Sequence, residues 1–229
     1  MARAQCCSNP PTLNPNGGAG TVEELGGLST YISGSTNSKL AVILVSDAFG
    51  YEAPNIRLVA DKVATAGFYV VVPDFFYGDP FVFEKHAPNW QDWLKDHETL
   101  KLLNPKASAI GAAGFCWGGK VVTELSKSKA IQAAVLLHPS FVTVEDIKGV
   151  IVPIEILGAG IDDITPPAIL KEYEEILATN VHEVDSYVEI FPNVAHGWTL
   201  RYNVDDEVAA NSANEAHNKM LEWFAKYLK

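Results

Sequence analysis

Five stretches of this chain are dominated by apolar residues without strict alternation: 40–46, 68–72, 107–113, 131–137 and 151–157. A strand that alternates apolar and polar residues buries one face, whereas a strand apolar throughout buries both. Helical patterns lie between and after them. Residues 54–66 carry Ile56, Val59, Ala60 and Val63 on one stripe, and Gly67 ends the pattern. Residues 90–103, stopped by Pro105, 120–127, 166–178 with Pro in its first turn, and 205–228 read as further helices. Residues 28–33 suit a first strand, and 184–191 alternate as a strand near a sheet edge does. Strands alternating with helices predict one α/β domain built on a doubly wound, mostly parallel sheet. That domain is expected over 28–229. A loosely ordered lead-in rich in Pro, Asn and Gly is expected over 1–27.

This fold class makes a strong statement about function. Ligands of such sheets bind outside the carboxyl ends of the strands. The residues that follow each strand therefore share one edge although they are distant in sequence: Asp47, Phe76, Cys116, His138, Asp162 and His196. The segment Gly114-Phe115-Cys116-Trp117-Gly118-Gly119 sits between a strand and a helix. Glycines two residues either side of a central nucleophile are the signature of a sharp elbow that holds the nucleophile above the sheet. Here the nucleophile is a thiol. At a helix N-terminus the dipole favours the thiolate, lowering a pKa ordinarily near 8.5.

Composition narrows the partners. The net charge of −11 opposes binding to nucleic acid or to anionic membrane surfaces. No run of about 18 apolar residues predicts a membrane span, and the first residues lack the apolar core of a secretory signal. Three cysteines do not make a disulfide framework, so a reducing compartment, the cytoplasm, is expected. Cys6 and Cys7 have no Cys or His partner at zinc spacing, and no metal site is predicted.

A nucleophilic thiol needs a base, and the base needs an orienting group. Of six histidines, His196 lies in a Gly-flanked loop after the last strand. His86, His97, His182 and His217 read as surface residues, and His138 as a pocket-lining or structural residue. The orienting carboxylate is Asp162 or Asp163. Gly158-x-x-x-Asp162-x-x-x-Pro166 places Asp162 in the turn before a helix and favours it, with Asp163 as an N-cap-like residue.

These motifs resemble those of the dienelactone hydrolase family, single-domain proteins of the α/β-hydrolase fold. The resemblance is carried by Ser46-Asp47-Ala48-Phe49-Gly50, Val72-Pro73-Asp74, the elbow and Ala195-His196-Gly197, and runs from about residue 28 to the C-terminus. It implies hydrolysis of lactones or small esters without a cofactor, by a triad of Cys116, His196 and Asp162. It also implies an oxyanion hole from the backbone N–H groups of Ala48 and Trp117, and Asp47 as partner of the resting thiol. Relatives that bind a substrate carboxylate use arginines. Here Tyr77-Gly78 stand where one is expected, and Arg201 is offset from the other. Phe76, Tyr77, His138, Trp198 and Arg201 are therefore expected around an apolar, aromatic pocket for a small-molecule lactone or ester, in a monomer or homodimer. A glutaminase-type site, a ligand-binding protein and a cyclase or isomerase using the same pocket are the competing readings.

Overall fold

The structure is a computed structural model, and it describes residues 5, 9–81, 107–179 and 184–229. The pattern over 90–103, Cys6, Cys7, His86, His97 and His182 lie outside these residues. One sheet of eight strands organises the chain, in the order β1-β2-β4-β3-β5-β6-β7-β8. The strands are β1 (Thr21–Leu25), β2 (Leu28–Ser33), β3 (Leu40–Val45), β4 (Tyr69–Pro73), β5 (Ala109–Phe115), β6 (Ala133–Leu137), β7 (Ile154–Ile161) and β8 (Ser186–Ala195). β1 and β2 run antiparallel to their neighbours, and the remaining pairs are parallel. The doubly wound, mostly parallel sheet expected from the sequence is thus present.

The helices among the described residues are α1 (Pro54–Thr65), α2 (Trp117–Ser126), α3 (Val144–Lys148), α4 (Pro167–Ala178) and α5 (Glu207–Tyr227). Small residues on the central strands let helices approach closely. A Cβ on Gly111 of β5 would lie 2.6 Å from the Phe224 ring of α5, and one on Gly158 of β7 would lie 2.1 Å from Leu170 of α4. The core strands are buried on both faces, with every residue from Ala133 to Leu137 inaccessible. Burial of this kind contributes roughly 25 cal/mol per Å² of apolar surface.

Strand β1 falls inside the stretch read as a lead-in. Its residues Thr21-Val22-Glu23-Glu24 are all exposed, so it lacks the apolar signal of a strand. Gly26 and Gly27, both at positive φ, form the two-residue turn that returns it onto β2. The preceding residues are fastened to α1. The buried Arg57 donates to the carbonyls of Pro15, Gly17 and Tyr51, and Asp61 accepts from Ala19 N–H and Tyr31 Oη.

Strands β7 and β8 run further than their apolar patterns, to Ile161 and Ala195. Pro192 lies within β8. An edge strand tolerates proline because one side of its backbone has no ladder to join. A register shift between Ala159 and Ile161 accompanies the extension. The longer strands carry Asp162 and His196 to the same level above the sheet. The order of strands reverses around β3, which lies between β4 and β5. A crevice opens where connections depart in opposite directions. The loops after β3 and β5, carrying Asp47 and Cys116, flank that crevice.

Candidate active site

Cys116 is the residue between β5 and α2, with φ 54° and ψ −112°. A left-handed backbone is costly for a non-glycine residue and persists only where its surroundings enforce it. The surroundings here are explicit. Cys116 N–H donates to Leu137 O at 3.1 Å, and Cys116 O accepts from Gly119 N–H and Ser140 N–H at 3.0 and 2.9 Å. The flanking glycines are required by contact. A Cβ on Gly114 would lie 2.1 Å from Gly118 O, and one on Gly118 would lie 2.2 Å from Val45 O. The helix begins at Trp117, earlier than the apolar pattern implies, so Cys116 is its N-cap residue. The first N–H groups of a helix have no intrahelical acceptor. The Trp117 N–H is one of these.

His196 follows the last residue of β8. Its Nδ1 lies 2.8 Å from Asp162 Oδ2, and both side chains are buried. The other oxygen, Asp162 Oδ1, accepts from the N–H groups of Ile164 and Thr165. The structure therefore pairs His196 with Asp162. Asp163 is exposed, and its N–H is held by Gln5 Oε1. Burial pushes the His196 pKa down, but the charge of Cys116, the hydrogen bonds from Asp162 and Cys116, and the Asp162 charge together raise it to about 9. An imidazole so placed is ready to hold the proton of a neighbouring thiol.

Ser140 was not among the residues anticipated. Its Oγ lies 3.3 Å from Cys116 Sγ and 3.4 Å from His196 Nε2, and the residue is fully buried. It lies in the His138-Pro139-Ser140 turn after β6, where His138 drew attention because of its type. His138 is fully buried. Its Nε2 meets Thr199 Oγ1 at 2.7 Å and its ring packs edge-on against His196 at 5.0 Å. Burial, with His196 and Arg201 nearby, holds its pKa well below the ordinary range. His217, read as a surface residue, is 1% exposed and donates from Nε2 to Thr199 O.

The expected pocket residues divide. Phe76 is buried and backs the elbow, its ring 4.9 Å from that of Trp117. Tyr77 is 54% exposed at the tip of its loop. Trp198 is buried beside His138. A cleft of about 400 Å³ opens beside His196, walled by Val194, Trp198, Arg201 and Tyr202, with Asn9 across it. Asp47 is buried in the loop after β3, where Oδ1 accepts from Phe49 N–H and Oδ2 faces Arg201 Nε at 3.7 Å. Burial raises its pKa, opposed by Arg201, the Phe49 N–H and His196. Arg201 also lies over the Phe49 ring at 5.6 Å and against Gly197, whose φ is +88°. No cluster of three or more His, Cys, Asp or Glu suited to a metal occurs among the described residues. No helix among them is long and apolar enough to cross a membrane.

A nucleophile elbow, a histidine and a carboxylate at the carboxyl edge of such a sheet define an α/β-hydrolase. Residues 28–228 match the dienelactone hydrolase family, and the chain belongs to it, among hydrolases of the lactone and ester type. It is 41% identical over 199 residues to a maize (Zea mays) protein named endo-1,3;1,4-β-D-glucanase, a match spanning 80% of this chain and 64% of that one. This chain thus spans less than two thirds of the maize protein. It is 31% identical to the carboxymethylenebutenolidase homolog of Xenopus tropicalis, over 93% of this chain and 92% of the relative. Its fold is similar to that of a dienelactone hydrolase-like promiscuous phosphotriesterase from metagenomic libraries, with TM-score 0.66 and 17% identity over 93% of this chain and 100% of that one.

Proposed function

We propose that this protein hydrolyses a neutral lactone or small ester through a thioester on Cys116. The observation that carries the reading is the strained elbow, which sets a thiol at a helix N-terminus beside the Asp162-paired His196. In the reaction His196 Nε2 takes the thiol proton, and Nδ1–H stays on Asp162, which fixes the tautomer. The thiolate attacks the acyl carbonyl. The N–H groups of Trp117 and Ala48 receive the oxyanion. Collapse forms the thioester and expels an alkoxide, which takes its proton from His196. Water, deprotonated by His196, then cleaves the thioester and regenerates the thiol.

The charge arrangement supports a neutral substrate. The Arg201 side chain is buried against Asp47 at 3.7 Å, and position 78 is glycine. A substrate carboxylate without a committed partner costs several kcal/mol to bury. The name of the maize relative raises a second reaction class, glycoside hydrolysis. That chemistry uses two carboxyl groups flanking the scissile bond. Among the described residues of this edge, Asp47 faces Arg201, Asp74 accepts from the Phe76 and Gly78 N–H groups, and Asp162 is bound to His196, an arrangement that supports acyl transfer instead.

The test is kinetic. Wild type, Cys116→Ala and Cys116→Ser are assayed on neutral esters and lactones, their carboxylate-bearing counterparts and a mixed-linkage glucan. Loss of at least about 10³-fold in kcat for the neutral ester in the Ala variant is expected, with a slow Ser variant. An Ala variant of undiminished activity, or turnover of the glucan alone, contradicts the reading. Binding of the ester without turnover would instead favour a receptor or cyclase.

A further inference from the structure

We infer that Ser140 is a second hydrogen-bond donor to the Cys116 thiolate and a fourth catalytic residue of the site. The inference deepens the reading of Cys116 as nucleophile and rests on it. Among the described residues, the hydroxyl of Ser140 is within reach of two side-chain atoms, Cys116 Sγ at 3.3 Å and His196 Nε2 at 3.4 Å. Nothing apolar in the surroundings asks for a hydroxyl there. A buried serine commonly bonds a nearby backbone carbonyl, as Ser126 at the end of α2 does with Thr123 O. Ser140 instead closes a triangle with the thiol and the imidazole.

The turn is built to hold it there. His138 and Phe141, either side of Pro139-Ser140, have φ 39° and 62°. Strain at non-glycine residues persists where contacts over-determine the backbone, and here they come from several elements. His138 N–H donates to Leu157 O of β7, and Ser140 N–H donates to Cys116 O of the elbow. Thr165 Oγ1 donates to Pro139 O, and Tyr173 Oη of α4 donates to Val142 O. A Cβ on Gly119 would lie 2.8 Å from Pro139 Cβ, so α2 also presses on the turn. The elbow and the serine turn are thus locked to each other through backbone, and the Sγ to Oγ distance is set by the fold.

The protons balance simply. As the thiol ionises, its proton passes to His196 Nε2, either directly or by a shift in which Oγ receives it and releases its own. Ser140 ends neutral in either case, with its O–H directed at sulfur. A hydrogen bond to a charged group is worth about 1.5–3 kcal/mol net, which corresponds to about one to two pH units in the thiol pKa. Ser140 therefore supplies part of what keeps the thiolate populated, and after acylation its donor is free to meet the imidazole.

The experiment reads the thiol without requiring turnover. The rate of Cys116 alkylation by iodoacetamide is followed against pH in wild type, Ser140→Ala and Ser140→Thr, with the alkylated residue identified by peptide mass spectrometry. Steady-state kinetics on a neutral ester run alongside, and thermal unfolding checks that each variant is folded. The expected result in Ser140→Ala is a thiol pKa higher by about one to two units, kcat lower by about 10-fold or more, and KM little changed. Ser140→Thr, which restores a hydroxyl, should return the pKa toward wild type. A folded Ser140→Ala whose thiol pKa is unmoved overturns the inference whatever its activity. If Cys116→Ala still hydrolyses the ester, the nucleophile reading fails. The alkylation profile still reports whether Ser140 bonds the sulfur, so the two failures are separable.

Discussion

Asp162 divides its carboxylate between two tasks. Oδ2 takes His196 Nδ1, while Oδ1 takes the two N–H groups of the turn before α4. One oxygen anchors the side chain so that the other can aim. An Asn at 162 keeps one acceptor and presents an N–H donor in place of the other, so either the turn or the imidazole is mispaired. Asp162→Asn is expected to lower kcat by about 10²–10⁴-fold, as wrong-tautomer substitutions do, and Asp163→Asn by no more than a few-fold. The check is kcat for both variants on one neutral ester, and the reverse ranking contradicts the assignment. The Gly and Pro spacing around 162 favoured the aspartate that lies against His196. Ser140 was not legible, because a serine after a strand has no distinctive sequence signal. Only the register of β6 beside β5 brings it to the sulfur.

Elements were read from periodicity, and they are right wherever both faces of a strand are buried. They fail at the edges. β1 is exposed except at Leu25, and its one clue was Gly26-Gly27. The edge position of β8 was read from its alternation, but its continuation through Pro192 to Ala195 was not. α5 illustrates a different failure. Ala213, Ala216, Met220, Trp223 and Phe224 form its buried stripe, and His217 lies on it. Its position was readable, but its residue type suggested water. Burial and the Lys62 charge, opposed by the Thr199 O bond, bring its pKa down to about 4 from the ordinary 6.5. The folded state therefore prefers the neutral ring. The unfolded state binds more protons between about pH 4 and 6.5, so stability is present above 6.5 and lost as pH falls through that window. The loss from this group is on the order of 3 kcal/mol. Thermal unfolding across pH 4–8 should show a fall in Tm below about 6.5 that is smaller in His217→Gln. An equal fall in the two proteins would mean that His217 is not responsible.

At the scale of the whole molecule, the fold class followed from the alternation of buried strands with helices. The carboxyl-edge rule then gathered Asp47, Cys116, Asp162 and His196 before any coordinates. What the sequence could not give is the distances between them, which depend on strand lengths and register. β7 and β8 each extend four residues beyond their apolar patterns, and that extension delivers Asp162 and His196 to one level. Nor could it give the pairing of Arg201 with Asp47, two residues separated by most of the chain and joined only because the loop after β8 folds over the loop after β3. The proposed function turns on one bond, a thioester between Cys116 and the acyl part of a neutral lactone or ester. Mixing enzyme with excess activated ester, quenching in acid within milliseconds to seconds and weighing the intact protein tests it directly. The account predicts a transient mass increase equal to the acyl group, mapped by peptide analysis to Cys116 and decaying as turnover completes. Steady ester turnover with no acyl adduct at Cys116 at any quench time, or with the adduct on another residue, would contradict it.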